Sequence, residues 1–169
     1  CGIKLGSRVV NKPAQFIQPP NTLRLKVGGA GFGGIDAAAV ARAEAALKDL
    51  SSQFGEWLRD EVSQMEAARA DIRSIGVTPQ TMEQLYMRAH DLKGLGATYQ
   101  FPIITRIAGS LCKLIDDNVR MQAPLYLVDA HIDAIKAMVR DNIQTDEHPV
   151  GRALAHELES KTAEHLATV

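Results

Sequence analysis

A chain of 169 residues, 46% hydrophobic and 23% charged, has room for one domain with a real core and little room for two. Its net charge of −1 argues against a general nucleic-acid binder, and no apolar run reaches the ~18–20 residues of a membrane span. Aromatic residues make up only 5% and alanine is abundant, a mixture that favours helices because alanine and the straight-chain residues cost little in a helix interior. The two cysteines, Cys1 and Cys112, do not form a disulfide framework, so a reducing, cytoplasmic compartment is expected. Cys1 is read as a trimmed start or a scar, without a lipoprotein signal to support it.

Residues 1–35 hold Pro13, Pro19, Pro20 and the run Gly28-Gly29-Ala30-Gly31-Phe32-Gly33-Gly34. With little to bury and much backbone entropy to lose, they are expected to form an extended or disordered arm. Leu23-Arg24-Leu25-Lys26-Val27 alternates like a short strand but has no partner strand. A helical domain over 36–169 follows.

Asp36 is a good N-cap, and apolar residues at Leu47, Leu50, Phe54, Trp57, Leu58, Val62, Met65 and Ile72 keep a three-four spacing. They predict one long helix over about 37–74, bent slightly at Gly55 and closed by Gly76. Thr78-Pro79 opens a second helix, 78–99, with Met82, Leu85, Ala89, Leu92, Gly96 and Tyr99 on one stripe. Pro102 opens a third, 102–118, carrying Ile104, Ile107, Ala108, Leu111, Leu114 and Ile115. Pro124 opens a fourth, 124–144, with Leu127, His131, Ile132, Ile135 and Met138 or Val139. Pro149 opens a fifth and weaker one, 149–167, expected to pack outside or to fray. Short connections make the first four neighbours antiparallel. The predicted fold is an all-α antiparallel four-helix bundle with a long first helix and an additional C-terminal helix.

The second helix contains Ala89-His90-Asp91-Leu92-Lys93-Gly94-Leu95-Gly96-Ala97. Its core stripe uses Ala89, Leu92 and Gly96, which turns His90, Lys93, Gly94 and Ala97 towards solvent. Imidazole, with an ordinary pKa of about 6.5, is largely unprotonated near neutral pH and so offers a nucleophilic ring nitrogen. Attack on an aspartyl phosphate of another protein makes phosphohistidine without ATP or a resident metal. Lys93, one turn on, offsets the charge of the transferring phosphoryl group. Gly94 leaves room above the helix, and Met87, Gly94 and Ala97 form an uncharged border for a partner.

Ala89-His90-Asp91-Leu92-Lys93-Gly94 resembles the Ala-His-x-Leu-Lys-Gly of the histidine-containing phosphotransfer (HPt) domains of bacterial phosphorelays, and the likeness extends loosely over 78–144. The resemblance implies that His90 is the phosphoacceptor, that Lys93 assists the phosphate and that Gly94 is the close-approach glycine. It also implies receiver domains of response regulators or a hybrid histidine kinase as partners, with Mg²⁺ on the receiver and no cofactor on this chain. Such a module is a carrier, not an ATP-dependent enzyme. Two positions depart from the family: Gln100 stands where it usually has a glycine ten residues after the histidine, and Cys112 where it often has a glutamate.

Other signals have less support. Gly29 to Gly34 fits G-x-G-x-x-G, but the following helix is too long for a crossover and no strand comes after it. His156-Glu157 starts a zinc-protease-like motif, but Ser160 occupies the place of its second histidine. His131 is expected near the core, and His148, His156 and His165 at the surface. The alternatives to phosphotransfer are a helical scaffold that dimerises through the long helix, and a receiver-binding module that carries no phosphate. No nucleic acid or membrane is expected as a partner.

Overall fold

A computed structural model of the chain describes residues 36–169. The arm 1–35, with Cys1, the strand-like 23–27 and the glycine run, lies outside the described residues. The chain divides into two compact units at Val40–Ala41. Of the first unit the described residues form only the first turn of a helix, and the packing below concerns 41–169.

Among the described residues there are five α-helices and no β-strand: α1 (Ala37–Ile75), α2 (Pro79–Leu95), α3 (Pro102–Leu114), α4 (Leu125–Arg140) and α5 (Pro149–Leu166), with a 3₁₀ turn at Arg120–Gln122. Punctuation explains the boundaries. The Asp36 carboxylate accepts the Ala38 N–H at 3.1 Å, as an N-cap does. Gly76 stops α1 at φ +108°, a conformation that side chains resist. Thr78 and Thr81 cap α2 reciprocally, each hydroxyl accepting the other's backbone N–H at 3.1 and 3.0 Å. Pro79, Pro102 and Pro149 each occupy the first turn of a helix, and Pro124 caps α4.

The core starts at Leu58. From there Leu58, Val62, Met65, Ala68 and Ile72 are buried, whereas Leu47, Leu50 and Trp57 are 63%, 42% and 47% exposed. The apolar spacing of α1 is thus continuous, but only its later part has other elements opposite. Arg69 fastens that part to α4. Its buried guanidinium donates to both carboxylate oxygens of Glu66, at 2.6 and 2.7 Å, and to Asp133 at 2.8 Å. Phe54 and Trp57 hold the ring of Tyr99, with centroids 5.6 and 5.9 Å away.

Central to the packing is α3, which touches α2, α4 and α5 and buries Ile103, Ile104, Ile107, Ala108, Leu111 and Leu114. It comes closest to α2 at Gly96, where an added Cβ would meet Thr105 Oγ1 at 2.7 Å and its backbone nitrogen at 2.8 Å. Beyond Leu95 the backbone turns on to a Schellman closure, in which Phe101 N–H donates to Gly96 O at 2.7 Å and Gln100 N–H to Ala97 O at 3.1 Å. Gln100 takes the left-handed residue there, at φ 67°. A conformation that usually calls for glycine is thus held here by a residue with a side chain.

The fifth helix is packed rather than frayed. Gly151, Ala155, Leu158 and Thr162 are buried against α3 and α4, and Arg106 donates to both carboxylate oxygens of Glu159 at 2.7 Å. Small residues carry this contact: a Cβ on Gly151 would meet Ile143 Cγ2 at 2.9 Å. A pattern of large apolar residues undervalues such a helix. Below it lies a buried polar network. His131 Nδ1 bonds to the Leu127 carbonyl at 2.7 Å and Nε2 to Ser110 Oγ at 3.0 Å, while Ser110 also meets Thr162 Oγ1 at 3.1 Å.

Candidate functional site on helix α2

Helix α2 buries Thr81, Met82, Leu85, Ala89 and Leu92, the last four with no exposed surface. That stripe fixes the rotation of the helix and puts Met87, His90, Lys93 and Gly94 on its outer surface, with Ala97 exposed in the turn beyond Leu95, because the helix ends before the expected 99. His90 lies between two fully buried neighbours, Ala89 and Leu92, so its backbone is held while its side chain faces solvent. Among the described residues nothing hydrogen-bonds to either ring nitrogen of His90. The ring instead stacks on Tyr86, one turn earlier, at 6.0 Å between centroids and 30° between planes.

Lys93 lies one turn further on. Its stem passes Gly109 of α3, 4.0 Å from where a Cβ would stand there, and it lines a cleft of about 720 Å³ with Gly109, Lys113, Arg106 and Glu159. Among the described residues Lys93 makes no ion pair, so its ammonium is free to meet an incoming anion. At Gly94 an added Cβ would meet nothing within 4 Å, and the helix surface there is open. Ala97 continues this face, its N–H bonded to Thr105 Oγ1 at 2.9 Å. Asp91 points aside towards Arg88, 3.9 Å away.

Two nearby groups are chemically quiet. Cys112 is buried, and desolvation pushes its thiol up to about 11 although the Lys93 charge pulls the other way. At neutral pH it is a packed thiol, not a thiolate nucleophile. His131 is fully buried, and desolvation lowers its pKa against the opposing bond to the Leu127 carbonyl. His148 and His156 are exposed as expected, whereas His165 is half-buried, its Nε2 enclosed and without a hydrogen-bond partner. Among the described residues no three His, Cys, Asp or Glu side chains cluster as a metal site would require.

The structure thus brings all five sequence-derived site residues onto one surface. It adds two that sequence reasoning missed, Tyr86 and Arg120. Tyr86 was legible as the residue four before His90, on the same helical ridge. Arg120 was not, because it arrives from the turn after α3 and stands over the Tyr86 ring at 5.6 Å. No family model, curated protein or solved structure matches the chain. Among the described residues no helix is long and apolar enough to cross a membrane.

Proposed function

We propose that this chain is a histidine phosphotransfer module of the HPt type, in which His90 takes a phosphoryl group from an aspartate of a receiver domain and passes it to another. The observation that carries the reading is the placement of His90: an exposed imidazole with unengaged nitrogens, between buried Ala89 and Leu92, with an unpaired lysine one turn on and open space over Gly94. In the transfer, a ring nitrogen of His90 attacks the phosphorus of the aspartyl phosphate. The N–P bond forms as the P–O bond to the carboxyl breaks, and the carboxylate leaves on the receiver. Lys93 offsets the charge on the moving phosphoryl oxygens, and Met87, Gly94 and Ala97 seat the receiver. Mg²⁺ belongs to the receiver in this scheme, and this chain contributes no cofactor. Helices α1–α4 correspond to the four-helix bundle of such modules, with a long first helix and α5 as an addition, and the setting is cytoplasmic.

Phosphorylated receiver domains mixed with the full chain should transfer acid-labile, alkali-stable label to it, and His90→Gln should take up none while staying folded. Label retained by His90→Gln would end the reading.

A second reading has its own observation. Leu47 and Leu50 are exposed on α1 before the core begins, at a spacing that a second helix can use, which favours a scaffold that dimerises along α1. Sedimentation of the wild type beside a Leu47→Glu, Leu50→Glu variant decides it. A dimer that the variant dissolves supports the scaffold, and a monomer at all concentrations removes it.

A further inference from the structure

His90 is on an exposed helical surface, where an imidazole ordinarily samples several rotamers. Here it has a neighbour that limits it. The Tyr86 ring lies 6.0 Å away at 30°, close to parallel, and Tyr86 is itself half-buried and packed on the core. Arg120 completes the arrangement from outside the helix. Its guanidinium stands 5.6 Å over the Tyr86 ring, it is only 8% exposed, and it is ion-paired with Asp117. Its Nε is buried and has no hydrogen-bond partner among the described residues. A buried guanidinium with an unmet donor is costly to keep. What it faces is the π surface of Tyr86, an interaction that grows when desolvated.

The geometry points to Tyr86 as the positioning residue of His90, with Arg120 as the brace that holds Tyr86 in place. This rests on the phosphotransfer reading and deepens it. The stack confines the imidazole before the partner arrives, so less orientational freedom is lost on reaching the attacking pose. Neither residue touches the phosphoryl group in this scheme. Their effect passes through the orientation of His90, so it acts equally on any phosphodonor. A residue of the docking surface would instead affect only the protein donor.

The test uses the full chain with two donors, a phosphorylated receiver and phosphoramidate. Tyr86→Phe keeps the ring and should label within about twofold of wild type. Tyr86→Leu keeps an apolar side chain and helix propensity but loses the ring face. Releasing the imidazole to about three or more wells should slow labelling roughly three- to tenfold with both donors. The receiver concentration at half-maximal rate should stay unchanged. Arg120→Met should move the same way by less. Rates equal to wild type in Tyr86→Leu would overturn the proposal, as would a loss confined to the receiver donor. In case Tyr86→Leu fails to fold, nuclear Overhauser contacts between the His90 and Tyr86 ring protons in the wild type provide an independent check, and their absence would also overturn it. If those contacts are present but the wild type takes label from neither donor, the phosphotransfer reading itself has failed. If the wild type is labelled and only the variant prediction fails, the positioning role alone falls.

Discussion

Two glycines two residues apart do opposite work. Gly94 faces open space, so Gly94→Ala should stabilise the fold by about 0.5–1 kcal/mol through helix propensity alone. Gly96 lies against Thr105, where a methyl group would stand 2.7 Å from the hydroxyl and 2.8 Å from the backbone nitrogen. Gly96→Ala should therefore force α2 from α3 and cost roughly 1–3 kcal/mol. Urea unfolding of the pair checks both signs, and equal midpoints would contradict the packing described. Gln100 supplies a third case at this scale. A non-glycine residue at φ 67° is strained, so Gln100→Gly should raise stability by roughly 0.5–1 kcal/mol, net of the entropy glycine loses. Because Gln100 is ten residues from His90 and closes the helix rather than lining the outer face, the same variant should be labelled at the wild-type rate. Lys93→Ala should fold normally yet label roughly ten- to a hundredfold more slowly, if its contact acts fully in the transition state.

Among the elements, α5 is joined to α3 and α4 through a polar network as well as through small residues, and that network carries a pH dependence. Burial lowers the His131 pKa, so the fold keeps the ring neutral while the unfolded chain protonates near pH 6.5. The stability contributed by the neutral ring is therefore complete above about pH 6.5 and is lost as pH falls from there towards the folded-state value. The stability of wild type minus that of His131→Leu should accordingly fall between pH 8 and pH 5. A signed difference that stays constant or rises would contradict the burial of a neutral ring. The helix starts were legible in sequence because Asp36, Thr78 and the four later prolines act locally, and Gly76 marked the end of α1. Helices α2, α3 and α4 stop at Leu95, Leu114 and Arg140, short of the expected 99, 118 and 144, and no glycine or proline marks the last turn of α3 or α4. What stayed hidden was non-local. Leu47 and Leu50 continue the spacing of α1, yet periodicity cannot show where the opposing helices stop. Helix α5 presented few large apolar residues, and the close fit of Gly151 and Ala155 shows only once the chain is packed. At the site, the rotation of α2 followed from its apolar stripe, so the outward face of His90, Lys93 and Gly94 could be read. The brace by Arg120 depends on a turn whose path no local pattern specifies.

For the whole molecule, the packed core and the exposed face of α2 are separate. A core assembled from α1 after Trp57 and from α2 to α5 holds one helix at a set rotation, and the proposed phosphoacceptor His90 stands on the surface that this rotation leaves free. Removing the functional side chain should therefore leave the fold intact, which is unusual for a buried site and natural for this one. The most direct measurement is phosphorus NMR of the full chain treated with phosphoramidate, followed by the same treatment of His90→Gln. The wild type should show one phosphoramidate-type resonance that acid abolishes, absent from a His90→Gln protein whose melting midpoint matches wild type. A resonance that survives in His90→Gln, or its absence from the wild type, would contradict it.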